Sequence, residues 1–386
     1  MKKTKRKICV IVFSRANYAR IRSLLHAIQN HPELSLQLIV GASAVLWRFG
    51  NILETIADDG FEVSEVVYSI VDGGTPGTMA KSTGLSIIEL ATTFENLRPD
   101  IVLTVADRFE TIATAITASY MNITVAHTQG GEVTGSIDES VRHAITKLAH
   151  IHFPATQESA DRLKKMGENP DAIYITGCPA MDIVADLTPF KMPSDIFSNF
   201  GITKEVLDPY EPFLLVLQHP VTTEFGDGLD QITNTISAVE SIGMPAVWIW
   251  PNADAGTDDI AKGMRIHKEE VKDTKIHYFL NFTPEDYIYL LANCSCIIGN
   301  SSSGIREGAF LGTPTVNIGS RQQNRERGNN VVDVDYDSCD IKEAIQKQLR
   351  HGRYAPEHIF GSGCAGEDIA NILSTVEVNQ QKLICY

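Results

Sequence analysis

The sequence lacks a signal-peptide core. Its start, MKKTKRKICVIVFSRANY, is basic, but the apolar run that follows is about six residues long, too short for a secretory signal or a membrane span, so it reads as a first buried β-strand. Positive charge is scarce as well: 33 Lys and Arg stand against 48 Asp and Glu, a net charge of −15 at pH 7. That balance argues against sequence-independent binding to nucleic acid or to an anionic membrane, and any anionic ligand must meet a local basic patch. The seven cysteines are an odd number at irregular positions, with Cys294 and Cys296 inside an apolar run. They form neither a disulfide framework nor a spaced zinc site and point to a reducing cytoplasm. Walker A, HExxH and GxSxG motifs are absent, which leaves P-loop phosphoryl transfer, zincin chemistry and the serine nucleophile elbow without their signatures. The one GxGxxG match, Gly361, Gly363 and Gly366, lies too near the C-terminus for the second strand of a dinucleotide-binding unit to follow, and reads as a turn into a last helix. The first candidate strand runs into Ser14-Arg15-Ala16-Asn17 instead of glycines, which argues against NAD and leaves Arg15 to receive a diphosphate.

What is present describes a chain with real cores. Hydrophobic residues make up 43% and only 16 residues are proline, so disorder and low complexity are excluded, and 386 residues predict two domains or three small ones. Short β-branched runs at 8–13, 36–40, 101–105 and 123–126 alternate with helical spacing at 79–97 and 108–121, the pattern of a parallel α/β sheet. The pattern restarts at 213–220 and continues with strands at 246–250, 275–279, 296–299 and 315–318. Four prolines between 186 and 212 read as an interdomain connection. The expected fold is α/β, two Rossmann-like lobes with the site in the cleft between them: residues 1–185, residues 186–365, and a C-terminal helix or tail at 366–386.

The densest polar cluster begins with Ala106-Asp107-Arg108 at one strand end and continues in HTQGGEVTG (127–135) at the next. Asp107 can exchange a proton and Arg108 can pair with phosphate oxygens, although an Asp cap followed by a solvated Arg explains the dipeptide alone. Gly130 and Gly131 allow a tight path beside Glu132, and Asp138 and Glu139 precede a helix carrying Arg142, His143 and Lys147. His143, His150 and His152 read more simply as satisfied core or surface residues. His219 differs, because it ends an apolar strand before a proline and two hydroxyls. In GNSSSGIREGAFLGTP (299–314), a strand end leads through serines into a helix whose free N–H groups suit a diphosphate, with Glu307 in reach of ribose hydroxyls. A plain serine cap explains part of that run. Arg321, Arg325 and Arg327 follow the next strand as a candidate phosphate clamp.

Taken together, SRANY (14–18), DRFE (107–110), GGEVTG (130–135), RHAITK (142–147), HPVTTE (219–224), WPNADAG (250–256) and NSSSGIRE (300–307) resemble the hydrolysing UDP-N-acetylglucosamine 2-epimerases of sialic acid synthesis, nearly end to end and in order. The resemblance implies a GT-B-like fold with the nucleotide held mainly by the second lobe, and neither metal nor NAD. It implies elimination of UDP across C1 and C2 of the sugar to a 2-acetamidoglucal, then hydration with inversion at C2. By motif match, Arg15, Arg108, His219, Asn252, Ser301, Ser302, Glu307 and Arg321 are expected to touch the nucleotide, and Asp107 and Asp138 the sugar, with Glu132 as a further carboxylate. Three residues depart from the family pattern: Gln129 stands for a glutamate, Asn17 for an acidic residue and Ala106 for a glycine. Gln129 cannot exchange a proton at neutral pH, so either Glu132 and the aspartates suffice or the roles are divided differently. A UDP-N,N′-diacetylbacillosamine 2-epimerase of legionaminic acid synthesis shares every motif. A GT-B glycosyltransferase and a weakly catalytic sugar-nucleotide binder are readings from other classes. The expected partners are a UDP-sugar and further copies of the chain, as a dimer or tetramer.

Overall fold

A computed structural model describes residues 4–47, 52–105, 108–251, 254–378 and 381–385. The chain divides into two compact units, one of residues 1–132, 137–185 and 360–386, the other of residues 133–136 and 186–359.

The first unit is built on a six-stranded parallel sheet: β1 (Arg6–Val12), β2 (Leu34–Gly41), β3 (Val63–Val67), β4 (Ile101–Val105), β5 (Thr124–Thr128) and β6 (Ile151–Phe153), in the spatial order β3-β2-β1-β4-β5-β6. β1 is apolar at every inner position because both of its faces are covered. Ile8, Val10 and Val12 pack on one side, and Cys9, Ile11 and Phe13 on the other. The expected helix at 79–97 spans Pro76–Leu97, opened by a Thr75 capping box and closed by Arg98 in a left-handed conformation before Pro99.

The second unit repeats the plan with β7 (Leu214–Leu217), β8 (Ala246–Ile249), β9 (Ile276–Phe279), β10 (Cys296–Gly299), β11 (Thr315–Ile318) and β12 (Val331–Val334), ordered β12-β11-β10-β7-β8-β9. Read from the other edge this is the same strand order, and all pairs are parallel. Leu214 and Val216 face one core, Leu215 and Leu217 the other.

One segment and one boundary differ from the sequence reading. The proline-rich stretch taken as a connection is part of the second unit's core, where Met192, Ile196, Phe197 and Leu207 pack with Leu215, Val247 and Phe279. At the other end the second unit stops at Ile359, and residues from Phe360 belong to the first. The helix Ala365–Thr375 buries Ile369, Ala370 and Leu373 against the β1 face, and Arg6 donates to the carbonyls of Leu373 (2.6 Å) and Val376 (2.9 Å). Asp182 caps that helix by accepting from the amides of Ala365 (2.9 Å) and Gly366 (2.7 Å). The GxGxxG glycines therefore serve packing: a Cβ on Gly366 would lie 2.8 Å from the Leu24 amide. Among the described residues no helix is long and apolar enough to cross a membrane.

Candidate active site

In an open parallel sheet the crevice for ligands opens where the strand order reverses, outside the carboxyl ends. In the first unit that point lies between β1 and β4. The chain leaving β1 turns at Ser14, whose hydroxyl accepts from the Asn17 amide (3.1 Å) to cap the helix Arg15–Asn30. Arg15 is half-buried at its first position. Asn17 is buried, and neither polar atom of its side chain has a hydrogen-bond partner among the described residues. After β4, Ala106 and Asp107 lie outside the described residues. Arg108 lies within them and is buried, and Glu110 takes both sides of its guanidinium, with Nε to Oε2 at 3.3 Å and Nη2 to Oε1 at 3.1 Å. The arginine read as a phosphate ligand thus has a fully buried carboxylate partner two residues on.

The next loop, after β5, is the most tightly specified in the unit. Gln129 is 1% exposed and adopts φ +61°, a left-handed conformation unusual for a residue with a side chain, while its amide donates to the Phe153 carbonyl (2.9 Å). Gly131 follows at φ +79°, where a Cβ would lie 2.3 Å from the Ser159 carbonyl oxygen, so only glycine fits. Arg162 donates to the Gly131 carbonyl, and the fully buried Arg142 donates to the Glu132 carbonyl (2.9 Å) and to the Glu139 carboxylate (3.0 Å). Glu132 is thereby held buried at 4% exposure, and Asp138 lies half-buried in the first turn of the helix Ile137–Leu148. The three histidines read as satisfied core or surface residues have ordinary partners: His143 with Glu139 (2.9 Å), His150 with the Val125 amide (3.2 Å), His152 with Glu168 (3.0 Å). Glu168 also accepts from Lys147 (2.9 Å) and from Lys382 near the chain's end. Burial alone pushes its carboxyl up, but the hydrogen bonds from His152, Lys382 and Lys147 outweigh burial and bring its pKa down to about 2.

In the second unit the switch point lies between β7 and β10. Gly299, at φ +125°, has no room for a side chain: a Cβ would lie 2.2 Å from the Leu217 carbonyl oxygen. This close approach brings the two strand ends together, and the Asn300 side chain bonds both backbone groups of His219. Ser301 caps the helix Ser302–Leu311, and its hydroxyl lies 2.9 Å from that of Ser303, which also meets the Tyr287 hydroxyl. Ser301 and Ser303 therefore serve the cap and its support, and Ser302 stands at the helix's first position with Glu307 half-buried on the second turn. Arg321 Nη1 donates to the Asn300 carbonyl (3.1 Å). The other two arginines of the expected clamp are engaged elsewhere: Arg327 pairs with Asp333, and Arg325 is buried with Nε 3.4 Å from the Val133 carbonyl. Residues 133–136 pack on this loop, the Gly135 amide donating to the Arg321 carbonyl (3.0 Å). Asn252 lies outside the described residues. Sequence reading gave no role to Asn300 and Glu110, which stand inside its motifs, and missed Arg162, since an Asn at a strand end and a charged residue near a turn carry no signal until their partners are known.

Chemically, the first unit offers buried and half-buried carboxylates beside a strained turn, suited to moving protons. The second offers a helix N-terminus, hydroxyls and an arginine, suited to a diphosphate. Two parallel sheets of this order, each with its polar loops at the switch point, define a GT-B-like pair of Rossmann-like units. The chain belongs to the UDP-N-acetylglucosamine 2-epimerase family, whose sequence profile matches residues 26–374. It is 31% identical over 360 residues to the UDP-N-acetylglucosamine 2-epimerase of Neisseria meningitidis serogroup B, covering 93% of this chain and 91% of that one. It is 32% identical over 380 residues to the UDP-N,N′-diacetylbacillosamine 2-epimerase (hydrolyzing) of Legionella pneumophila, covering 98% of each. The crystal structure of Methanocaldococcus jannaschii UDP-GlcNAc 2-epimerase, in complex with UDP-GlcNAc and UDP, shares the fold with a TM-score of 0.79 at 18% identity, covering 95% of this chain and 99% of that one.

Proposed function

We propose that this chain is a hydrolysing 2-epimerase that converts UDP-N-acetylglucosamine and water to N-acetylmannosamine and UDP, for nonulosonic acid synthesis. The observation that carries the reading is the family match across residues 26–374, with SRANY, GGEVTG, HPVTTE and NSSSGIRE following the carboxyl ends of β1, β5, β7 and β10, where ligands collect. The C2 proton is not acidified by a neighbouring carbonyl, so departure of UDP leads the reaction and groups around the diphosphate stabilise the developing charge. In this reading Arg15, Arg108, His219, Asn252, Ser301, Ser302, Glu307 and Arg321 hold the nucleotide. Asp107 and Asp138 exchange the C2 proton, with Glu132 as a further carboxylate. Gln129 donates a hydrogen bond to a sugar hydroxyl or the acetamido group, a role supported by its buried, left-handed placement. We place the protein in the cytoplasm, as a homo-oligomer, a placement supported for the first of these by an odd number of cysteines at irregular positions.

A second sugar is supported by the Legionella relative, which matches 98% of each chain: UDP-N,N′-diacetylbacillosamine. Incubating the pure protein with each UDP-sugar, without acceptor, and assaying for UDP plus free 2-epimeric sugar tests both. Deuterium at C2 of the sugar released in D2O is expected from elimination and rehydration. UDP release with the parent sugar configuration and no C2 deuterium would mean simple glycosidic hydrolysis instead.

A further inference from the structure

We propose that Asn300 is the positioning residue of the nucleotide half of the site, holding His219 and Arg321 in register with the serine-capped helix. The inference rests on the reading that His219 and Arg321 contact the nucleotide. Its basis is a set of bonds converging on one fully buried residue. Asn300 Oδ1 accepts from the His219 amide at 2.7 Å and Nδ2 donates to the His219 carbonyl at 2.8 Å, so one side chain satisfies both backbone groups of a single residue 81 positions away. The Asn300 carbonyl accepts from Arg321 Nη1 at 3.1 Å and from Gln322 Nε2 at 2.9 Å. The next residue, Ser301, caps the helix Ser302–Leu311.

The chemistry explains why asparagine stands here. β7 ends at Leu217, and the peptide groups of His219 no longer belong to the sheet ladder. Pro220 fixes the extended backbone of His219 but offers no donor of its own. Buried peptide groups need partners, and a short amide side chain carries one acceptor and one donor at the spacing of one residue's N–H and C=O. An apolar residue of the same size fills the volume and leaves both groups orphaned. With the two side-chain bonds lost, the His219 backbone is released and the main-chain carbonyl that receives Arg321, itself untouched by the substitution, loses its tether to β7, so binding in ground state and transition state weakens together.

The test compares wild type, Asn300→Ala and Asn300→Leu by UDP titration calorimetry, by steady-state kinetics with UDP-N-acetylglucosamine, and by thermal melting. Leu restores volume without hydrogen bonds. The expected result is that both variants fold, with UDP Kd and sugar-nucleotide KM raised about tenfold and kcat largely kept, the signature of lost uniform binding. A purely structural role would instead lower the melting temperature and the active fraction while leaving Kd and KM at wild-type values, and that result overturns the proposal. Recovery of Kd by Leu overturns it too, since volume alone would then suffice. Failure of both variants to fold also counts against it, because a positioning role is separable from the fold. A wild-type protein that binds no UDP refutes the functional reading itself, and the role of Asn300 falls with it.

Discussion

The two units share one strand order and one location for their polar loops, yet their loops are built on opposite principles. In the first, the turn after β5 concentrates strain and charge: Gln129 in a left-handed conformation, Gly131 pressed against the Ser159 carbonyl, Glu132 held in a buried position by arginines on its own and its neighbour's carbonyl. In the second, the strand ends are joined by a neutral amide that bonds both backbone groups of His219, while Arg321 donates to its main-chain carbonyl. The difference teaches that one strand order can carry chemically different loops, so the fold supplies the crevice while the side chains at the strand ends set what each unit offers a ligand.

The sharpest way to break the comparison is to remove a carboxylate from the first unit. Asp138→Asn, and likewise Asp107→Asn, are expected to lower kcat about 10² to 10⁴-fold, the usual worth of a positioned proton-transfer group, with UDP affinity kept in calorimetry. Loss of UDP binding in these variants would mean that the carboxylates themselves help to hold the nucleotide and that the division between proton transfer and nucleotide binding is false. The converse experiment acts on the second unit: Arg321→Ala and Glu307→Ala should each weaken UDP binding by about 1 to 3 kcal/mol, as charge-assisted contacts do. Titrations indistinguishable from wild type would empty the proposed nucleotide site.

Smaller effects sharpen the contrast. Gln129→Ala should raise KM for the sugar nucleotide about tenfold, the loss of a hydrogen bond from a buried donor, with kcat and UDP affinity nearly unchanged. Gln129→Glu should return a proton-transfer group to the turn and widen the accepted sugars. If Gln129→Ala abolishes turnover as completely as Asp138→Asn, the assignment of proton transfer to the aspartates is wrong. The least effect on activity is expected at Glu168, which ties Lys147 and Lys382 to the first unit. Its folded pKa of about 2 lies below the ordinary 4.5, so its stabilisation is complete above pH 4.5 and is lost as pH falls toward 2. Chemical denaturation of wild type and Glu168→Gln should differ by a constant amount at neutral pH and converge through that window. A difference that persists unchanged at pH 2 would show that the carboxylate charge is not what anchors the tail.

By itself the sequence determined the inner strands and, through its motifs, the family. β1, β2, β4, β5, β7, β8, β10 and β11 were legible because strands covered on both faces are mostly apolar, and the edge strand β9 was legible too, from its apolar and aromatic run IHYF. The edge strands β3 and β12 were not, since they are partly exposed and carry mixed residues, and β6 is only three residues long. The glycines, serines and charged residues of the loops were visible as types, and the helix expected after the GxGxxG run is there. Only the tertiary structure decided their partners: that Glu110 takes Arg108, that Asn300 reaches His219 across 81 residues, that residues 360–386 return to the first sheet, and that Gln129 occupies a left-handed turn. The physical reason is that periodicity and propensity act along a few neighbouring residues, whereas a buried hydrogen bond is specified by whichever group the folded chain brings to within about 3 Å.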